Sequence, residues 1–199
     1  MFRWAAFPVV VIFLATLSGA AQAHTGVGDT NGFAHGFAHP MSGIDHILAM
    51  VAVGLLAAHL GGRALWLVPL SFVSMMAVGG ALGIAGATLP YAEVGIGLSV
   101  VAFGALVALR TALPVAAAMA MVGFFALFHG HAHGAEMPQT ASGLHYGLGF
   151  VIATAVLHAV GIGFGLLIGQ IGQITGRRVL QMIGGGVAIA GVAILAGAL

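Results

Sequence analysis

From about residue 40 to residue 199 the chain is a succession of apolar runs joined by very short connections. Each run is close to the ~20 residues that carry an α-helix across a hydrocarbon core about 30 Å thick. No other feature constrains the fold so tightly. A membrane interior offers no water to backbone N–H and C=O groups, so only helices or a closed barrel span it. The runs are continuous and do not alternate with period two, which selects helices. Of the 199 residues 61% are hydrophobic and only 5% charged, with a mean hydropathy of +1.16. Soluble domains carry roughly a quarter charged residues, so a water-facing globule is excluded. The expected fold class is all-α: a polytopic membrane helix bundle of six transmembrane helices after a cleavable signal peptide.

Arg3, an apolar run over residues 5–17 and the small-x-small stretch Ala21-Gln22-Ala23 read as that signal peptide, residues 1–23. An uncleaved first helix is the alternative. Residues 24–39 form a periplasmic N-terminal segment and residues 40–199 the transmembrane domain. Spans are expected at about 40–60, 64–89, 91–109, 113–133, 143–169 and 179–199. With the mature N-terminus outside, Arg63, Arg110, Arg177 and Arg178 all fall in cytoplasmic turns and loops, as the positive-inside rule requires. Asp29, Glu93 and Glu136 then lie outside. The expected location is a bacterial inner membrane, with mature N- and C-termini in the periplasm.

The chain has no cysteine and no lysine. Disulfides, thiolate metal sites and thiol catalysis are excluded together. No Walker-type phosphate loop is present, and a net charge of +1 argues against a nucleic-acid partner. Thirty-three glycines, many inside spans, read as close helix packing, with unwound helix as the less favoured reading.

Ten histidines stand against nine formally charged residues. One cluster is His35-Gly36-Phe37-Ala38-His39-Pro40-Met41-Ser42-Gly43-Ile44-Asp45-His46. Pro40 suits the first turn of a helix and disfavours helical conformation at His39, which puts Asp45 and His46 about one and a half turns into span one. An ionisable residue at that depth costs several kcal/mol unless paired, so it marks a functional site by default. A structural Asp–His lock is the bland alternative. The other cluster is Phe128-His129-Gly130-His131-Ala132-His133-Gly134-Ala135-Glu136, closing span four. His129, His133 and Glu136, spaced i, i+4 and i+7, share a helical face. His131 points elsewhere, as a solvated rim residue, and His145 opens span five at the same level.

Two stretches thus bring imidazoles and carboxylates to one membrane depth. Imidazole with carboxylate and no thiolate suits Ni, Co, Zn, Cu(II) or Fe(II), and ligand type alone does not choose among them. His158, near mid-membrane, is either a step on a pathway or a packing histidine. His59 near the inner end of span one leans to packing. His24, once exposed by cleavage, offers an amine–imidazole chelating pair.

His39-Pro40-x-x-Gly43-x-Asp45-His46 and Phe128-His129-Gly130-x-Ala132-His133-Gly134-x-Glu136 resemble the two signature motifs of the HupE/UreJ family, matching at every fixed position. That family comprises small nickel/cobalt permeases associated with hydrogenase and urease maturation. The resemblance implies that His39, Asp45, His46, His129, His133 and Glu136 handle metal, with His24, His35, His131, His145 and His158 as lesser candidates. It supplies nickel or cobalt as a transported ion rather than a prosthetic group, and maturation proteins of nickel enzymes as downstream partners. The expected function is a secondary permease or facilitator, not an enzyme, in contact with lipid and free of nucleic acid; a homo-oligomer stays open. Two competitors are a zinc-dependent intramembrane hydrolase using Ser42 and Asp45, and a haem-binding electron carrier with axial histidines.

Overall fold

The computed structural model describes residues 32–137 and 142–199. The signal peptide, its cleavage after Ala23, His24 and Asp29 lie outside them. Every element among the described residues is helical: α1 (Gly32–Ser42), α2 (Ile44–Leu60), α3 (Ala64–Ile84), α4 (Ala92–Leu109), α5 (Val115–Ala135), α6 (Gly143–Gln170) and α7 (Gln173–Leu195). Five of these, α3 to α7, are long and apolar enough to cross a membrane, and α1 with α2 passes the same test as one span bent by 81°. The chain is therefore an all-helical membrane protein.

The helix after Arg63 stops at Ile84, short of the expected 89, and the last helix stops at Leu195; two further boundaries differ with more consequence. Pro40 does not open a helix; it lies in the last turn of α1, and the break falls at Gly43, whose extended backbone (φ −88°, ψ 122°) separates α1 from α2. Pro40 gives up the N–H bond to the Gly36 carbonyl, and α1 ends two residues later. Asp45 and His46 consequently sit in the first turn of α2, not one and a half turns in. At the other end α7 begins six residues earlier than expected. Gly172 (φ 108°) makes the turn almost alone, so Arg177 and Arg178 are helical rather than in a loop.

Helix α2 is the axis of the bundle, packing on α6 and touching α3, α4, α5, α7 and α1. Around it α3 pairs with α5, α4 with α7, and α1 with α6. Glycines set these approaches, as the packing reading anticipates. A Cβ at Gly130 would strike the Met76 carbonyl of α3, and one at Gly134 would strike the Gly80 carbonyl. These two glycines form the face of α5 that lies on α3. His129 and His133 precede them by one residue, about 100° around the helix, and so face α2 instead. The packing of α5 thereby aims the imidazoles.

Candidate metal centre

Helix α2 contributes Asp45 and His46 from its first turn, α1 contributes His39 from its last, and α5 contributes His129 and His133, with Glu136 as its C-terminal capping position. The outermost donors are His39 Nε2, His133 Nδ1 and Glu136 Oε2. Both nitrogens lie near the carboxylate, at 3.4 Å (His39) and 3.5 Å (His133), and they are 2.7 Å from each other. An ion bound at about 2.1 Å in tetrahedral geometry keeps its donors about 3.4 Å apart. Two sides of the triangle already have that length; the third is a hydrogen bond that must open when both nitrogens turn their lone pairs to a metal.

From this triangle the imidazoles continue inward. His133 Nε2 lies 3.3 Å from His46 Nδ1, and His46 Nε2 lies 3.3 Å from His129 Nδ1. His129 Nε2 ends the file 2.8 Å from the Ser99 hydroxyl of α4. His46 and His129 are 1% and 0% exposed. Consecutive rings cross edge to face, with centroids 4.0 to 4.6 Å apart.

The hydrogen-bond pattern assigns the tautomers. Ser99 donates its single proton to the Ile96 carbonyl at 2.6 Å, so its oxygen accepts from His129 Nε2–H. His129 Nδ1 is then a bare acceptor for His46 Nε2–H, His46 Nδ1 accepts from His133 Nε2–H, and His133 Nδ1 accepts from His39 Nε2–H. In this assignment the imidazoles run in one direction, each donating through Nε2.

Asp45 stands beside the file, not in it. Its Oδ2 is 3.7 Å from His46 Nδ1, too long for a hydrogen bond, and its side chain is 27% exposed. It places a negative charge next to the middle imidazoles from a helix N-terminus, where an anion is favoured. Glu136 is more open, at 55%. The adjacent His133 ring, with His39 adding to it, holds the Glu136 carboxyl below its ordinary pKa, while burial pulls the other way.

The lesser candidates divide. His131 is a correction: it is buried, not a solvated rim residue, and its Nε2 donates to the Ala87 carbonyl at 2.6 Å, which ties the end of α5 to the turn after α3. His35 and His145 are exposed and take no part in the cluster. His158 is 1% exposed and neither ring nitrogen has a partner among the described residues. It lies one step beyond the file, across the Phe72 ring, whose centroid is 5.6 Å from His129 and 5.1 Å from His158.

Sequence reasoning missed Ser99, Phe72, Tyr146 and Phe150. Ser99 had a signal, being the only hydroxyl in α4. The aromatics had none, since each reads as ordinary core. Phe150 packs on both His46 and His133, and the Tyr146 ring stands 6.3 Å from that of His39, with a buried hydroxyl that has no partner among the described residues.

The HupE / UreJ protein family profile matches residues 12–194. Protein HupE of Rhizobium leguminosarum bv. viciae is 48% identical over 182 residues, covering 91% of this chain and 93% of that protein. No solved structure matches. The stretches that converge on the imidazole file are the two motifs that resemble this family, and the match extends over nearly the whole chain: this protein is a member of the HupE/UreJ family.

Proposed function

We propose that this chain is a secondary permease or facilitator that imports divalent nickel, or cobalt, across the bacterial inner membrane for metalloenzyme maturation. The ion identity rests on the family resemblance; the path rests on the file of imidazoles from the exposed Glu136 to the buried Ser99. The histidine end is then periplasmic and the arginine end cytoplasmic.

The file offers successive two-nitrogen stations, and neighbouring stations share a ring. His133 serves the outer triangle with Nδ1 and the next station with Nε2; His46 serves the second with Nδ1 and the third with Nε2. A neutral imidazole has one lone pair, so an ion on one nitrogen leaves the other protonated. Neighbouring stations are not filled together through a shared neutral ring, and an ion that advances by one station moves a proton across that ring. Asp45 and Glu136 offset the charge of the entering ion. Conduction requires release, which the shared, partial ligation of each station favours over a closed cage.

Neither competitor gains support from the geometry. Ser42 donates to the His39 carbonyl at 2.6 Å from an exposed position, which is not the placement of a group acting on metal-activated water. The contact between successive rings leaves no slab for a haem.

Uptake of radioactive nickel by cells expressing this chain alone tests the reading, with His46→Ala as comparison. Uptake above background that falls to background in the variant supports it. Equal uptake by chain, variant and empty cells overturns it.

A further inference from the structure

The opposite end of the bundle carries a pocket of about 660 Å³ lined by His59 of α2, Leu109 of α4, Arg110 at the end of that helix, and Ile174, Arg177, Arg178 and Gln181 of α7. The four α7 residues are spaced i, i+3, i+4 and i+7, a single helical face turned towards the ends of α2 and α4. Three guanidinium groups and an imidazole thus line one concavity, although they come from three helices. No carboxylate lines it, and none of these arginines forms an ion pair among the described residues. Asp45 and Glu136 belong to the metal centre at the other end of the bundle, and Glu93 lies in the first turn of α4, a helix length from Arg110.

Topology alone accounts for arginines at this end, because positive residues hold a loop on the cytoplasmic side. It does not account for their convergence on a cavity. Arg63 makes the contrast: it is exposed at the start of α3, serves the same topological role and stays outside the pocket. Like charges gathered in a concave, partly apolar wall focus a positive field. The guanidinium fork matches the geometry of phosphate oxygens, and basic pockets between helix ends on the cytoplasmic side suit phospholipid head groups. Two apolar residues complete the lining, Leu109 at 75% and Ile174 at 70% exposure. They offer a surface for the glycerol and first acyl carbons of a lipid, for which a free phosphate has no use.

We propose that this pocket binds a phosphate-bearing anion, the head group of an anionic phospholipid, and so ties α2, α4 and α7 together at the arginine end. This inference is independent of the metal path.

The test uses the full-length protein purified in neutral detergent, with melting temperature followed as phosphatidylglycerol, phosphatidylcholine or inorganic phosphate is added. Phosphatidylglycerol is expected to raise the melting temperature at concentrations where phosphatidylcholine does not. Arg177→Gln/Arg178→Gln should weaken its apparent affinity about 25-fold, at roughly fivefold per arginine, and Arg63→Gln should leave it unchanged. A shift with inorganic phosphate that shows the same variant dependence supports the anion site with a soluble occupant in place of lipid. If the double variant does not fold, Arg177→Lys/Arg178→Lys keeps the charge and removes the fork, and a severalfold weaker affinity is expected. Equal shifts with both lipids and none with phosphate overturn the proposal, as does a phosphatidylglycerol shift that survives the pocket variants or is lost equally in Arg63→Gln.

Discussion

His46 Nε2 and His129 Nδ1 approach to 3.3 Å although 83 residues separate them in the chain. Helices α2 and α5 make little backbone contact elsewhere, so the imidazoles themselves fill the space between them. This contact makes the two sequence motifs a single site. His46→Ala and His129→Ala are each expected to reduce nickel uptake at least by the 10- to 100-fold typical of disturbed metal sites. Together they should do little more harm than His46→Ala alone, since His46 already serves the station that His129 completes. Losses that multiply in the double variant would mean two independent sites.

Ser99 terminates the file, and its removal leaves a buried N–H without an acceptor. Ser99→Ala should cost about 1–3 kcal/mol of stability. It also releases the constraint on the His129 tautomer, so uptake should fall even in protein that is fully folded. Thermal unfolding in detergent and uptake normalised to membrane-inserted protein check both. An unchanged melting temperature would show that the hydroxyl does not anchor the chain of donors.

Gly130 and Gly134 aim His129 and His133 by letting α5 lie against the α3 backbone. Gly130→Ala should therefore lower both thermal stability and uptake, because two backbones must separate to admit the methyl group. Gly185 in α7 has open space where its Cβ would be. There the same substitution should be neutral or stabilise by up to about 1 kcal/mol, through helix propensity. Equal behaviour of the two variants would dissociate close packing from the site.

Under the proposed import, proton competition for the imidazoles should set an acid limit to capture. Free imidazoles bind metal only when neutral, and an unperturbed histidine titrates near 6.5. Glu136 has its pKa lowered, so its carboxylate charge is present throughout the neutral range and is lost only well into acid. The imidazoles, not Glu136, are then the groups that titrate. Uptake should weaken as external pH falls through roughly 6, and Glu136→Gln should lower its amplitude and move the midpoint to lower pH, because the carboxylate that the rings stabilise in turn favours their protonated form. Uptake that rises steeply with external acidity would favour proton-driven import over ligand-limited capture.

Much of this arrangement was legible in sequence. Continuous apolar runs gave the helices, and the i, i+4 spacing of His129 and His133 gave their common face. Legibility failed where tertiary contact decides. Pro40 carries the local signature of a helix start, yet α1 packs on α6 and keeps helical form through it, so the break moves to Gly43. His131 looks solvated from its spacing, but the turn after α3 folds back to cover it. Ser99 and Phe72 join the site only because α4 and α3 are laid beside α2, and no local pattern encodes that neighbourhood.

His158 separates a pathway from mere packing. Its ring is buried with both nitrogens unpartnered among the described residues, a condition that costs about 1–3 kcal/mol for a polar group. A packing histidine would be improved by an apolar residue of similar volume, with no functional consequence. A receiving ligand would also be improved in stability, but at the expense of transport. His158→Leu is therefore expected to raise the melting temperature and reduce the maximal uptake rate. Half-saturation should change little if capture takes place at the outer triangle as proposed, two stations and the Phe72 ring away. Phe72→Leu is the companion variant, since it replaces the ring between His129 and His158 by a smaller aliphatic side chain, at a cost of about 1–2 kcal/mol in lost burial and residual cavity. If the ring is the barrier on the inward step, this change should raise the maximal rate in the presence of His158 and fail to do so in His158→Leu. Wild-type uptake in His158→Leu, together with a raised melting temperature, would assign the residue to packing and end the path at Ser99.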